Sequence, residues 1–270
     1  MSTSSAPDAS GQVAWNPEDY HRNASAQTGW GREVHERLGL RGDERVIDLG
    51  CGDGRLTAEL AGRVPRGRVT GIDSDPEMIA FARRHFAQRN LAFAAGDARS
   101  FAVEGGADLV LSTACLHWVA DHGAVLERCR AHLGAGGRIF FQLGGRGNCR
   151  EIILAAAAVA RRPPFSRHLS PFSHPWHFLG PEDYQALLPG HGFRPVRTEL
   201  IEKDMVHDGK EAMLAWLTTT WMPVLGRVPE ALRAGLGEAI VAEHLARRPP
   251  DRDGRTHAAM VRLEVEAVIA

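Results

Sequence analysis

Arg45-Val46-Ile47-Asp48-Leu49-Gly50-Cys51-Gly52-Asp53-Gly54 is the stretch on which the reading of this chain turns. Val46 to Leu49 predict a short buried strand, and three glycines in five residues predict a tight turn after it. Beyond the turn, Leu56, Leu60 and Val64 recur at i, i+4 and i+8, the spacing of one helix face. Glycines permit positive φ angles and let a ligand approach bare backbone, while a helix start offers unpaired N–H groups. A strand, a glycine turn and a helix start together form a ligand-binding corner.

The residues downstream narrow the ligand. A second strand, Arg68 to Ile72, runs into Asp73, whose carboxylate is placed to accept hydrogen bonds from both hydroxyls of a ribose. The turn reads G-x-G-x-G (Gly50, Gly52, Gly54) and lacks the G-x-G-x-x-G spacing that seats a pyrophosphate. A third strand, Leu91 to Ala95, ends in Gly96-Asp97-Ala98, where a carboxylate and a backbone N–H can meet an adenine edge.

With these three motifs in order, the chain resembles the class I S-adenosylmethionine-dependent methyltransferases, most closely over about Asp43 to Leu143. The resemblance implies an α/β, Rossmann-like seven-stranded sheet with helices on both faces and a helical cap over the site. It implies S-adenosylmethionine as cofactor, held by Asp48, Gly50, Cys51, Gly52, Gly54, Asp73, Ser74, Met78, Asp97, Ala98 and Thr113. Within that family the chain looks like the branch that methylates small carboxylic acids, the trans-aconitate and insect juvenile hormone acid enzymes. Tyr20 and Gln27 match the Tyr-x6-Gln spacing of the latter, and Leu116-His117-Trp118 matches its Leu-His-Trp triplet. The resemblance gives Gln27 and Trp118 the substrate carboxylate. An indole face also attracts a sulfonium cation, by about 0.5–2 kcal/mol.

Composition sets outer limits. A net charge of −1 over 270 residues, with no long basic run, argues against nucleic acid as the main partner. No apolar stretch is long enough to span a bilayer, so no membrane partner is expected. The start, Met1 to Gln12, is Ser/Ala-rich and reads as a disordered leader. Four cysteines (Cys51, Cys115, Cys129, Cys149) without C-x-x-C pairing suggest reduced thiols and a cytoplasmic protein. Oligomeric state is not legible.

The expected organisation is a leader (1–14), N-terminal cap helices (15–40), a cofactor-binding core (41–145), a lid (146–180) and the second half of the sheet (181–270) with a helical insertion at 208–248. Trp30, Val34 and Leu38 mark a helix before the first strand, and Pro76 stands at a helix start with Ser74 as its expected cap. The fourth strand is read from Ala107 to Ser112. Gly134-Ala135-Gly136-Gly137 is read as the end of a helix, with the fifth strand from Arg138 to Leu143. An Ala-rich helix follows (Arg150 to Arg161), then a Pro/His/Phe-rich lid. Pro181 to Gly190 predicts a helix and Phe193 to Val206 the sixth strand. Two helices then precede a last strand from about Ala258 to Ile269. Thr218-Thr219-Thr220-Trp221-Met222 offers hydroxyls and aromatic surface to a bound acid. His174 and His177 have a spacing seen in metal sites, but no further clustered ligand accompanies them, and no metal is expected.

The chemistry expected is O-methylation of a carboxylic acid by in-line displacement. A carboxylate, with a pKa of about 4, is ionised at neutral pH and needs no base; an amine or phenol would need one, and His117 or Tyr20 is the candidate. Two other readings stay open on sequence. S-adenosylmethionine could itself be the substrate, cyclised by its own amine to azetidine-2-carboxylate with release of methylthioadenosine. The chain could also bind the cofactor without turnover.

Overall fold

The apolar run before the glycines forms β1 (Arg45–Leu49), a strand buried on both faces as an interior position between two parallel neighbours requires. The computed structural model describes residue 18 and residues 25–270, with the side chains of 25–28 outside the description. Tyr20, Trp15 and the 1–12 segment lie outside the described residues. A helix, α1 (Ser25–Arg37), precedes β1. Then α2 (Arg55–Arg63), β2 (Arg68–Asp73), α3 (Pro76–His85), β3 (Leu91–Ala95) and β4 (Ala107–Thr113) alternate. A 3-10 turn (Leu116–Trp118), α4 (His122–His132) and β5 (Leu133–Gly144) follow. The chain continues through α5 (Arg150–Val159), α6 (Ser166–Leu169), α7 (Pro181–Gly190), β6 (Phe193–His207), α8 (Gly209–Thr220), α9 (Met222–Leu225), α10 (Glu230–Arg247) and β7 (Thr256–Ile269).

The seven strands form one sheet in the order β3-β2-β1-β4-β5-β7-β6, parallel from β3 to β5, with β7 antiparallel to β5. Strand order reverses between β1 and β4, so the crevice beyond their carboxyl ends is the place where a ligand binds in such a sheet. From residue 25 onward the chain divides into two compact units. One comprises 25–146, 177–201 and 262–270; the other comprises 147–176 and 202–261.

In the first unit one sheet face packs Ile47, Leu49, Val110 and Phe141 against Leu126, Tyr184 and Leu188 of α4 and α7. The opposite face packs Val46, Leu109, Leu111 and Phe140 against Val34, Leu38, Leu60 and Val64. Each fully buried side chain of this kind contributes about 1.5–3 kcal/mol. The expected stripe of Leu56, Leu60 and Val64 is thus filled at its last two positions, and Leu56 is half-buried.

In the second unit α10 packs along α5 and α8. Trp221 is fully buried and meets Trp176 edge to face, with ring centroids 4.7 Å apart. His257 is held by two carboxylates, Nδ1 on Asp204 at 2.6 Å and Nε2 on Asp251 at 3.1 Å, and both raise its pKa above the ordinary imidazole value.

Three expectations are corrected here. The strand β5 begins at Leu133, not Arg138, because Leu133 already pairs with Ala107; Gly134 to Gly137 are absorbed as a bulge before Arg138 pairs with Leu109. The insertion between β6 and β7 holds three helices, since Pro223 restarts the chain as the short α9 after Trp221. The Thr218, Thr219 and Thr220 hydroxyls donate to the carbonyls of Leu214, Ala215 and Trp216 on their own helix, at 2.8–3.0 Å, and are spent as donors.

Candidate active site

The glycine turn is tied to β2. Gly50 and Cys51 both donate their N–H to the Ile72 carbonyl, at 2.7 and 3.0 Å, and Gly54 donates to Cys51 at 3.0 Å. Gly50, Gly52 and Gly54 all have positive φ (75°, 53° and 81°). At Gly50 there is also no room: a Cβ there would lie 2.2 Å from the Cβ and Sγ of Cys115, in the turn after β4. The turn therefore rests directly on the segment that leads to Leu116-His117-Trp118.

Asp73, at the end of β2, braces the turn. Its Oδ2 accepts the Gly52 N–H at 2.8 Å and its Oδ1 the Asp75 N–H at 2.9 Å, which leaves each oxygen further acceptor capacity. Burial pushes this carboxyl above the usual range, against the pull of those N–H groups. Asp75, not Ser74, caps α3, accepting from Glu77 N at 2.9 Å and Met78 N at 3.5 Å. A serine hydroxyl would serve equally, but Asp75 directly precedes Pro76 at the first helical position. Met78 is a core residue of α3, 3% exposed. Asp97 follows β3 and is clasped by Arg99, whose Nε and Nη2 reach its two oxygens at 2.9 and 2.5 Å and hold its pKa down. Ala98 beside it packs on the core.

Asp48 is 3% exposed; Thr57 Oγ1 donates to its Oδ2 at 2.7 Å, and its Oδ1 is buried without a hydrogen-bond partner. Burial raises its pKa from 3.8 to about 6. Because the folded value exceeds the unfolded one, the folded state binds the proton more tightly between those values. Stability without ligand falls as pH rises from about 4 to about 6 and is level above. Asp48→Asn is expected to remove that slope and to melt higher than wild type at neutral pH, as read from melting temperatures across that range.

At the end of β4, Thr113 pairs with Gln142 of β5, and Ala114 just after it, at φ 55°, donates to the Gln142 carbonyl at 2.8 Å. Gly144 N–H donates to His117 Nδ1 at 3.2 Å, and His177 N–H donates to the His117 carbonyl at 2.8 Å. Burial, then nearby His122, lowers the His117 pKa to about 4. The ring is thus neutral at physiological pH, with its proton on Nε2, and is tilted against Trp118 and Phe178 at centroid distances of 5.4 and 6.1 Å. Gln27 lies in α1, one turn before Trp30; its side chain is outside the description.

The sheet thus brings Asp48, the three glycines, Asp73, Asp97 and Thr113 to adjacent strand ends. Sequence reasoning missed Thr57, Asp75, Cys115 and the Gly144–His117 bond. Asp75 alone carried a signal, as the acid before Pro76-Glu77. Among the described residues no group of three or more His, Cys, Asp or Glu could hold a metal ion, and no helix is long and apolar enough to cross a membrane.

The chain is 31% identical over 252 residues to a protein of Mycobacterium tuberculosis named trans-aconitate 2-methyltransferase, covering 90% of this chain and 92% of that one. It belongs to the class I S-adenosylmethionine-dependent methyltransferases. A second trans-aconitate 2-methyltransferase, from a Mycobacterium species, is 34% identical over 221 residues, 80% of this chain and 84% of that one. Residues 46–137 match the family model described as a methyltransferase domain. Among solved structures, a Bacillus halodurans protein described as a putative methyltransferase aligns with a TM-score of 0.59 at 14% identity, covering 90% of this chain and 99% of that one. A Thiobacillus denitrificans S-adenosylmethionine-dependent methyltransferase holding S-adenosylhomocysteine aligns at 0.52 and 18%, over 95% and 92%. As a member of this family the methyltransferase uses S-adenosylmethionine, and its strand ends suit that group. The buried Asp48 Oδ1, without a hydrogen-bond partner, and the Asp73 carboxylate, with acceptor capacity to spare, stand beside a glycine turn of positive φ.

Proposed function

We propose that this methyltransferase esterifies a carboxylate of a small organic acid. The observation that carries the reading is His117: its Nδ1 is already taken by the Gly144 N–H and its pKa is about 4, so the turn after β4 presents a donor rather than a base. That arrangement serves a nucleophile ionised before it arrives. The names of the mycobacterial relatives support it.

In this reading the glycine turn and Cys51 cradle the cofactor, with Asp48 giving negative charge behind them. Asp73 takes the ribose hydroxyls, Asp97 and Ala98 meet the adenine edge, and Ser74, Met78 and Thr113 complete the surround. Bound S-adenosylmethionine would supply an electrophilic methyl, activated by its sulfonium leaving group, for displacement by a carboxylate oxygen. Trp118 and Gln27 orient the acid, His117 Nε2–H is available as a further donor, and Tyr20 belongs to the same expected group. Orientation of this kind supplies about 7–11 kcal/mol of a displacement barrier.

The test is incubation of the purified protein with methyl-labelled S-adenosylmethionine, with and without a panel of carboxylic acids, amines and phenols. S-adenosylhomocysteine and a base-labile methyl ester are expected only with an acid. The rate should be level between about pH 6 and 9, because neither acceptor nor His117 titrates there. Methylthioadenosine released without acceptor would replace transfer with cyclisation. Turnover confined to amines or phenols and rising with pH would also overturn the reading.

A further inference from the structure

Arg262, on β7, is the antiparallel register partner of Gly144, the residue whose N–H reaches His117. Its guanidinium is 5% exposed. Nη2 donates to Glu33 Oε2 at 3.1 Å and lies 3.5 Å from Glu264 Oε1, and the Trp30 ring lies 5.7 Å from the guanidinium carbon. Nε and Nη1 are buried without hydrogen-bond partners. An arginine cannot shed its charge, and buried donors are paired in the great majority of cases, so three unspent N–H groups on one cation require an explanation.

The charges around it point the same way. Glu264 is fully buried and receives Arg37 at 2.7 Å, Arg197, and Arg262. Three guanidinium groups therefore converge on one buried carboxylate. The other acids that touch them, Glu33 and Glu199, are 46% and 45% exposed. Arg262 and Glu264 are the two buried charges of this network, and within it Arg262 Nε and Nη1 stay unspent. Its place is also suited to the acceptor. The strand β5 separates β4 from β7, so the end of β4, which leads to His117 and Trp118, is two strand spacings, roughly 10 Å, from β7. Trp30 and Glu33 come from α1, the helix that also carries Gln27.

We infer that Arg262 is the specificity residue for a second, non-reacting carboxylate of the acceptor. This rests on the carboxyl-methylation reading above. One carboxylate of a short dicarboxylic or tricarboxylic acid lies at the Trp118 turn, and the other accepts from the unspent Nη1 hydrogens of Arg262 beside the Trp30 ring. A guanidinium keeps its charge when buried and holds its donors fixed in one plane, which a flexible ammonium does not.

The experiment compares wild type, Arg262→Gln and Arg262→Lys with a dicarboxylate and a monocarboxylate of equal chain length. It measures kcat and KM by S-adenosylhomocysteine release, calorimetric uptake of each acid with S-adenosylhomocysteine present, and melting temperature. The ratio of dicarboxylate to monocarboxylate kcat/KM is expected to fall about 30-fold or more in Arg262→Gln, through KM, and about 10-fold in Arg262→Lys. An unmoved ratio, with both acids losing equally or neither losing, would overturn the assignment. If Arg262→Gln does not fold, Arg262→Lys decides by the same ratio. If wild type turns over neither acid, the transfer reading fails by itself and calorimetry judges Arg262: dicarboxylate uptake weakened in the variants upholds it, and absent or insensitive uptake refutes it.

Discussion

Asp73→Asn is expected to weaken binding of S-adenosylmethionine and S-adenosylhomocysteine by about 100-fold or more. The melting temperature of the ligand-free protein should fall by only a few degrees. The carboxylate accepts one backbone N–H on each oxygen, from Gly52 and from Asp75. An amide keeps one acceptor and turns the other into an NH₂ that faces a donor. A buried N–H left unpaired costs about 1–3 kcal/mol, and hydrogen bonds from ribose hydroxyls to a charged acceptor are worth about 1.5–3 kcal/mol. The first cost falls on the ligand-free protein and its melting temperature; the second, over two ribose hydroxyls, reaches about 3–6 kcal/mol, at about 1.4 kcal/mol per tenfold in affinity. Calorimetry checks it: affinity within threefold of wild type, with only the melting temperature lowered, would reduce Asp73 to a brace for the turn.

The second large effect belongs to Gly50→Ala. At φ 75° an L-residue costs about 1–2 kcal/mol. The added Cβ, 2.2 Å from Cys115, must displace either the turn or the segment after β4, at about 1–3 kcal/mol. For a chain of this size the sum lowers the melting temperature by roughly 10 °C. Affinity for S-adenosylhomocysteine should fall with it, because the N–H groups of Gly50 and Cys51 are fixed on Ile72. Adding Cys115→Gly separates the two causes, since it relieves the collision and leaves the φ strain. Recovery of half or more of the loss in the double variant is expected. Wild-type melting of Gly50→Ala would mean that the turn does not rest on that segment.

The elements best legible in the sequence are those with punctuation at both ends. The strands β1, β2 and β3 are short apolar runs stopped by Gly or Asp, and α7 begins with Pro181 and ends with Gly190; their observed bounds lie within a residue of expectation. The start of β5 was hidden because Gly134 to Gly137 look like a helix terminator, and only pairing with Ala107 shows that the strand has already begun. Local spacing also misled at Thr218 to Thr220, whose hydroxyls turn back on their own helix. At the site, the three motifs located the carboxyl ends of β1, β2 and β3. What they could not give were contacts between distant segments: Cys115 on Gly50, or the Gly144 N–H that decides the tautomer of His117. Arg262, Glu264 and Glu266 alternate with apolar residues as on any half-exposed strand. That Glu264 is sealed follows from packing with Arg37 and Arg197, which alternation does not encode.

Cys51 stands in the glycine turn, and Cys115, after β4, lies against that turn. A protein that stores a methyl sulfonium keeps an alkylating agent next to its own nucleophiles, and a thiolate reacts far faster than a thiol. Cys51 and Cys115 are shielded from that fate first by burial and then by Asp73 and Asp48, which all push the thiol pKa up and keep the proton on sulfur. In the proposed site, the acids that brace the glycine turn therefore also keep these thiols protonated, leaving the incoming acid as the nucleophile that the electrophile would meet.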